Sequence, residues 1–165
     1  MIVVLMGVSG SGKTTIGSLL AEREGVVFAD ADDYHPPANK QKMASGQPLN
    51  DDDREPWLET LNRLMRGWYD SGKGGVLACS ALKEKYRTTL SAGMPKGSVT
   101  FVFLDGSHEL IAERLAARKH EYMNPKLLDS QLATLEPPVD ALRVVNDRPP
   151  EEVVEQILQH ISSQA

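Results

Sequence analysis

Short apolar runs alternate with amphipathic stretches along this chain, and the alternation predicts its elements. Ile2-Val3-Val4-Leu5-Met6 is apolar at every position, as a strand covered on both faces must be. A helical pattern follows from Lys13 to about Glu24, with Gly25 placed to end it as a C-cap. Val26-Val27-Phe28-Ala29 reads as a second strand leading into Asp30-Ala31-Asp32-Asp33. Pro36-Pro37 start a short helix to about Ala44, Ser45-Gly46 stop it, and residues 47–53 form a polar loop. A long helix runs from about Arg54 to Asp70, with Asp53 as its N-cap and Pro56 in its first turn. On it Trp57, Leu61, Leu64, Met65 and Trp68 recur at helical spacing, the mark of a core-facing stripe. Val76 to Cys79 is a third strand, 82–90 a helix, and Val99 to Leu104 a fourth strand. Helices over 107–118 and 126–135 flank a polar segment, and Leu142 to Val145 is the fifth strand. Pro149-Pro150 open a last helix with Val153, Val154, Ile157, Leu158 and Ile161 on its apolar face. Strands separated by helices imply one α/β domain over 1–165, a parallel sheet with helices on both faces.

Ligands in such sheets bind beyond the carboxyl ends of the strands, and the first of those ends carries a strong signal. Gly7-Val8-Ser9-Gly10-Ser11-Gly12-Lys13-Thr14-Thr15 lays G-x-x-x-x-G-K-T across a strand-to-helix junction, the setting that marks a phosphate-binding loop. Glycines let the backbone approach a ligand closely, successive N–H groups converge on an anion, and the new helix adds its positive end. Lys13 is expected to reach the β/γ-phosphates and the Thr14 hydroxyl to bind Mg²⁺.

Composition narrows the partners. The formal net charge is −5, with no basic excess for nucleic acid. Cys79, the single cysteine, excludes an internal disulfide and reads as a core thiol. No apolar run approaches the length of a membrane span, and Met1 leads straight into the first strand, so the expectation is a cytoplasmic protein.

After the second strand, Asp30 and Asp32 point to the same side for as long as the chain stays extended. One carboxylate suits Mg²⁺ and the other a substrate hydroxyl; the plainer reading is a polar loop. The third strand ends in Cys79-Ser80, where many phosphate-loop enzymes carry an aspartate, which moves the metal role toward Asp30. Lys83 and Arg87, at i and i+4, share a helical face, and such a pair can grip a carboxylate or phosphate. Arg114 and Arg118 are spaced the same way; they fit either a lid closing on the transferred phosphate or a basic helix C-terminus offsetting the dipole. The run Asp51-Asp52-Asp53-Arg54 is either a solvated loop or a set of acceptors for a polyol. His35 alone reads more readily as a structural or solvated histidine than as a ligand.

Taken together, these segments resemble the gluconokinases, in the shikimate-kinase-like branch of the phosphate-loop kinases. The resemblance spans nearly the whole chain and rests on Leu5 to Lys13, on Asp32 with His35-Pro36, Asn39 and Lys42 to Gly46, on Pro48 to Arg54 with Pro56-Trp57-Leu58, on Cys79 to Lys83 with Tyr86-Arg87, and on Arg114 to Lys119. It implies a three-layer α/β/α P-loop NTPase fold with a five-stranded parallel sheet of order 2-3-1-4-5, an adenine loop near 146–149 and a short lid over about 114–126. It implies transfer of the ATP γ-phosphate to the 6-hydroxyl of D-gluconate with Mg²⁺, in the cytoplasm, often by a homodimer. In this reading Gly7, Val8, Ser9, Gly10, Ser11, Gly12, Lys13, Thr14 and Thr15 hold ATP, and Thr14 and Asp30 hold the metal. Lys13, Asp32, Arg114 and Arg118 are catalytic, and Asp32, His35, Arg54, Ser80, Lys83 and Arg87 form the substrate pocket. The alternatives are a shikimate or nucleoside monophosphate kinase, or a nucleotide switch; a guanine-reading N-K-x-D is absent from the chain.

Overall fold

The computed structural model describes residues 1–8, 10–106, 125–138 and 141–163. The strands are β1 (Ile2–Met6), β2 (Val27–Asp30), β3 (Gly75–Ala78), β4 (Thr100–Asp105) and β5 (Leu142–Val145). They form one sheet of order β2-β3-β1-β4-β5, every pairing parallel. The helices are α1 (Lys13–Glu24), α2 (Pro37–Ala44), α3 (Asp51–Ser71), α4 (Glu84–Leu90), α5 (Pro125–Thr134) and α6 (Pro150–Ser163).

The period-two geometry of β1 builds two cores from one strand. Ile2, Val4 and Met6 face Trp57, Leu58, Leu61 and Met65 of α3 and Tyr86 and Leu90 of α4. Val3 and Leu5 face Ile16 and Leu20 of α1 and Val153, Val154 and Ile157 of α6. The sheet is therefore covered on both faces, which is why β1 and β3 read as unbroken apolar runs. Two close approaches tighten the layers. A Cβ on Gly17 would stand 2.5 Å from the Phe28 ring, and one on Gly75 2.5 Å from the Trp68 ring.

Three local expectations change. The long helix starts at Asp51 rather than near Arg54, because Asn50 supplies the N-cap. Its side chain accepts the Asp53 N–H at 2.8 Å, and Asp53 accepts the Asn50 N–H at 2.9 Å, a reciprocal capping box. The aspartate run thus lies in the first turn, where negative charge is favoured by the helix dipole, and Pro56 falls in the second. The chain does not stay extended through Asp30-Ala31-Asp32: a 3₁₀ turn covers Ala31–Tyr34, and Asp30 Oδ1 accepts the Asp32 N–H at 3.0 Å. The two carboxylates therefore do not project side by side from a strand. Finally, α4 begins at Glu84, leaving Lys83 in extended backbone before it.

Candidate active site

The strand ends converge on the loop after β1. Gly7, Gly10 and Gly12 have φ of 149°, 84° and 96°. A Cβ on Gly7 would sit 2.7 Å from the Leu104 carbonyl oxygen, so the loop packs against β4 only as glycine. Its backbone is tied to neighbours on both sides. Gly7 N–H donates to Ser80 O at 3.3 Å after β3, and the buried Asn146 after β5 donates its Nδ2 to Ser11 O at 2.7 Å. Lys13 Nζ folds onto its own loop, donating to Gly7 O at 2.8 Å and Val8 O at 3.1 Å. Val8, Ser11 and Gly12 are buried beneath, while Thr14 and Thr15 are exposed at the start of α1. Ser9, Arg114, Arg118 and most of the lid segment lie outside the described residues.

Thr14 Oγ1 donates to Asp30 Oδ2 at 3.3 Å, which joins the start of α1 to the end of β2. Beneath them the Cys79 thiol is pushed up to about 12 by burial, with Asp32 and Asp30 adding to the rise and Lys13 opposing it. Cys79 itself stays a neutral core thiol.

The second wall is made of side chains. Asp51 accepts from Lys83 at 3.2 Å and also from Lys85 and the Tyr86 hydroxyl. These three donors hold its carboxyl well below the usual range. Arg54 Nη1 donates to the same Tyr86 hydroxyl at 2.9 Å, with the guanidinium 5.3 Å from the ring centroid. Burial, reinforced by Asp51, raises the Tyr86 phenol. Asp53 is engaged by Lys42 at 2.7 Å, which lowers its carboxyl. The acceptors expected of this run for a polyol are, at Asp51 and Asp53, used within the fold.

Lys83 and Arg87 do not share a face. Lys83 turns toward Asp51, whereas Arg87 donates to Ala81 O at 2.8 Å and to Glu136 O at 3.0 Å. Ala81 is buried with φ of 45°, a left-handed conformation that costs a non-glycine residue energy. Arg87 thus braces the strained turn that carries Ser80, from behind. Glu136 closes the same brace, its N–H donating to Leu82 O at 2.7 Å and its carboxylate accepting the Glu84 N–H at 3.1 Å.

His35 is buried and stacked on Trp57, with centroids 4.1 Å apart and planes at 15°. Its Nδ1 lies 3.1 Å from Asn39 Nδ2 and its Nε2 3.8 Å from Asp32 Oδ1. Desolvation, with Arg54 and Lys40 adding to it, lowers the ring to about 4, so it is neutral at pH 7. Trp57 Nε1 also donates to Ala31 O at 2.7 Å, pinning the 3₁₀ turn to α3. Residues that sequence left without a role here are Asn39, Lys85 and Tyr86; Asn146, expected at an adenine loop, instead ties β5 to the phosphate loop. A lone asparagine or tyrosine carries no pattern; only the Asn50-x-x-Asp53 box had a readable spacing.

Comparisons with known proteins agree with this fold. A family model described as shikimate kinase matches residues 9–162. The chain is 49% identical over 145 residues to a probable gluconokinase of Dictyostelium discoideum, covering 86% of this chain and 72% of that one. It is 44% identical over 166 residues to the gluconokinase of Gluconobacter oxydans, covering 98% and 92%. A crystal structure of a gluconokinase from Sinorhizobium meliloti 1021 superposes with a TM-score of 0.88 at 41% identity, covering 99% of this chain and 93% of that one.

Proposed function

The chain belongs to the gluconokinases, within the shikimate kinase family, and from that membership we propose how its site transfers the ATP γ-phosphate to the 6-hydroxyl of D-gluconate. The products are 6-phospho-D-gluconate and ADP, and the setting we propose is the cytoplasm, on the likeness to the gluconokinases alone. Among the described residues no helix is long and apolar enough to cross a membrane.

The observation that carries the scheme is the link from Thr14, at the start of α1 behind the phosphate loop, to Asp30 at the end of β2, whose other oxygen holds the turn that carries Asp32. The loop N–H groups and the α1 N-terminus hold the β- and γ-phosphates. Lys13 exchanges its two loop carbonyls for phosphate oxygens and offsets the charge that develops on transfer. Thr14 and Asp30 would hold Mg²⁺: the hydroxyl and the carboxylate are hard oxygen donors that already meet at 3.3 Å. When bound, the ion neutralises phosphate charge.

Asp32 receives or orients the proton of the 6-hydroxyl as that oxygen bonds to phosphorus and the bond to ADP breaks. Arg54 and Lys83, already gathered around Tyr86, supply positive charge for the gluconate carboxylate. His35 backs Asp32 rather than lining the pocket, and Arg87 braces the Ser80 turn. Arg114 and Arg118 complete the positive surround from the lid and help exclude water.

The test is ATP consumption with gluconate, shikimate and AMP compared side by side, with the phosphorylated product identified. Turnover is expected with gluconate and only background with the other two. Equal rates for all three would overturn the substrate assignment, and turnover with AMP alone would make the chain a nucleotide kinase.

A further inference from the structure

The His35 side chain is only 3% exposed, so its neighbours decide on which ring nitrogen its proton lies. Asn39, itself buried, lies within hydrogen-bond reach of two groups through one nitrogen: Asp53 O at 2.8 Å and His35 Nδ1 at 3.1 Å. Asp53 O is a backbone carbonyl and can only accept. The amide atom facing it must therefore be the NH₂, which settles the orientation of the Asn39 side chain. That NH₂ has two hydrogens. One goes to Asp53 O, and the other points at His35 Nδ1, which must accept it with a lone pair. In a neutral imidazole the ring proton is then on Nε2. Burial, with Arg54 and Lys40 nearby, keeps the ring neutral.

Nε2 lies 3.8 Å from Asp32 Oδ1, a separation that must shorten by several tenths of an ångström to become a hydrogen bond as the site tightens on substrate. The remaining geometry holds both partners in place. The stack on Trp57 fixes the plane of the ring, and Trp57 Nε1 and Asp30 Oδ1 fix the turn that carries Asp32. We propose that Asn39 and His35 are positioning residues: Asn39 locks His35 in its Nε2–H tautomer, and that N–H presents a neutral donor to the Asp32 carboxylate, aiming its other oxygen at the acceptor hydroxyl. A neutral donor orients a carboxylate while taking away less of its basicity than a cation would. The relay runs from the α3 backbone at Asp53 through Asn39 and His35 toward Asp32, so the cap of α3 and the candidate base are linked through His35. The inference rests on the reading of Asp32 given above.

The direct test is long-range ¹H–¹⁵N correlation of the histidine rings in the full-length ¹⁵N-labelled protein at pH 7. His35→Phe, which keeps a stacking ring, identifies the resonance among the four histidines. The expected pattern is that of a neutral ring protonated at Nε2, and an Nδ1–H pattern would overturn the proposal. Kinetics supply the second arm. His35→Phe is expected to lower kcat about 10²-fold through misplacement of Asp32, with little change in gluconate KM. In His35→Gln the side-chain amide can stand in for Nε2–H, and it is expected to recover about ten-fold of that loss. Equal losses in folded Phe and Gln variants would sink the donor role. Asp32→Asn separates the two readings. If it keeps full turnover, the assignment of Asp32 fails whatever the spectrum shows. If it is inactive while His35 shows the Nδ1–H pattern, only the relay fails.

Discussion

The two halves of the candidate site are built by different means. The phosphate side is backbone: three glycines at positive φ, N–H groups, a helix start, and one lysine reaching its own loop. The acceptor side is a web of side chains from α2, α3, the turn after β3 and α4, meeting at Asp51, Tyr86 and His35. A backbone site is set by a short contiguous sequence and can serve many reactions. A side-chain web exists only once distant segments have packed, and it is the half that can choose a substrate.

Substitutions should separate the halves. Lys13→Ala is expected to lower kcat by about 10²–10³-fold with gluconate KM and thermal midpoint nearly unchanged, measured by a coupled ADP assay and thermal melts. A rise in gluconate KM instead would mean that the two halves are not independent. Acid should strike the acceptor side next. Because the folded pKa of His35 is about 4 against 6.5 for the free side chain, the unfolded state binds more protons between those values. The stability that the neutral ring contributes is whole above pH 6.5 and is lost as pH falls toward 4, a loss of roughly 3 kcal/mol. Urea melts of the parent and His35→Phe across that window should show the steeper acid slope in the parent.

Asp51→Asn leaves the capping box intact but weakens the hold on Lys83, Lys85 and Tyr86. It is expected to raise gluconate KM about ten-fold with ATP KM unmoved, read from steady-state kinetics with each substrate varied. The smallest effect is expected at Arg87. Arg87→Ala removes two hydrogen bonds to backbone carbonyls and should cost about 1–2 kcal/mol, a few degrees in Tm. A selective loss of gluconate affinity without loss of stability would instead return Arg87 to the substrate pocket.

Legibility followed the same division. The loop, the five strands, the Gly25 cap and the apolar stripe of α3 were all readable, because each is a local pattern of residue type and spacing. The readings that changed were those that assumed a backbone continued as it began. Asp30 to Asp32 turns into a 3₁₀ helix because Asp30 caps it and Trp57, 26 residues away, holds Ala31 O. Lys83 and Arg87 part company because α4 starts one residue after Lys83, while Ala81 and Glu136 claim the arginine.

Sequence by itself determined that this chain binds a nucleoside triphosphate phosphate group on a parallel α/β sheet, since glycine conformational freedom and apolar periodicity are properties of contiguous residues. Its likeness to gluconokinases was also in the sequence. Tertiary structure alone decided which polar groups are committed to the fold and which remain to act. Asp51 and Arg87 are held by partners more than 30 residues away or by backbone oxygens, and the proton on His35 is set by an asparagine whose own orientation depends on a carbonyl of another helix. Hydrogen-bond partners are chosen by distance in space, and that is information a spacing along the chain does not carry.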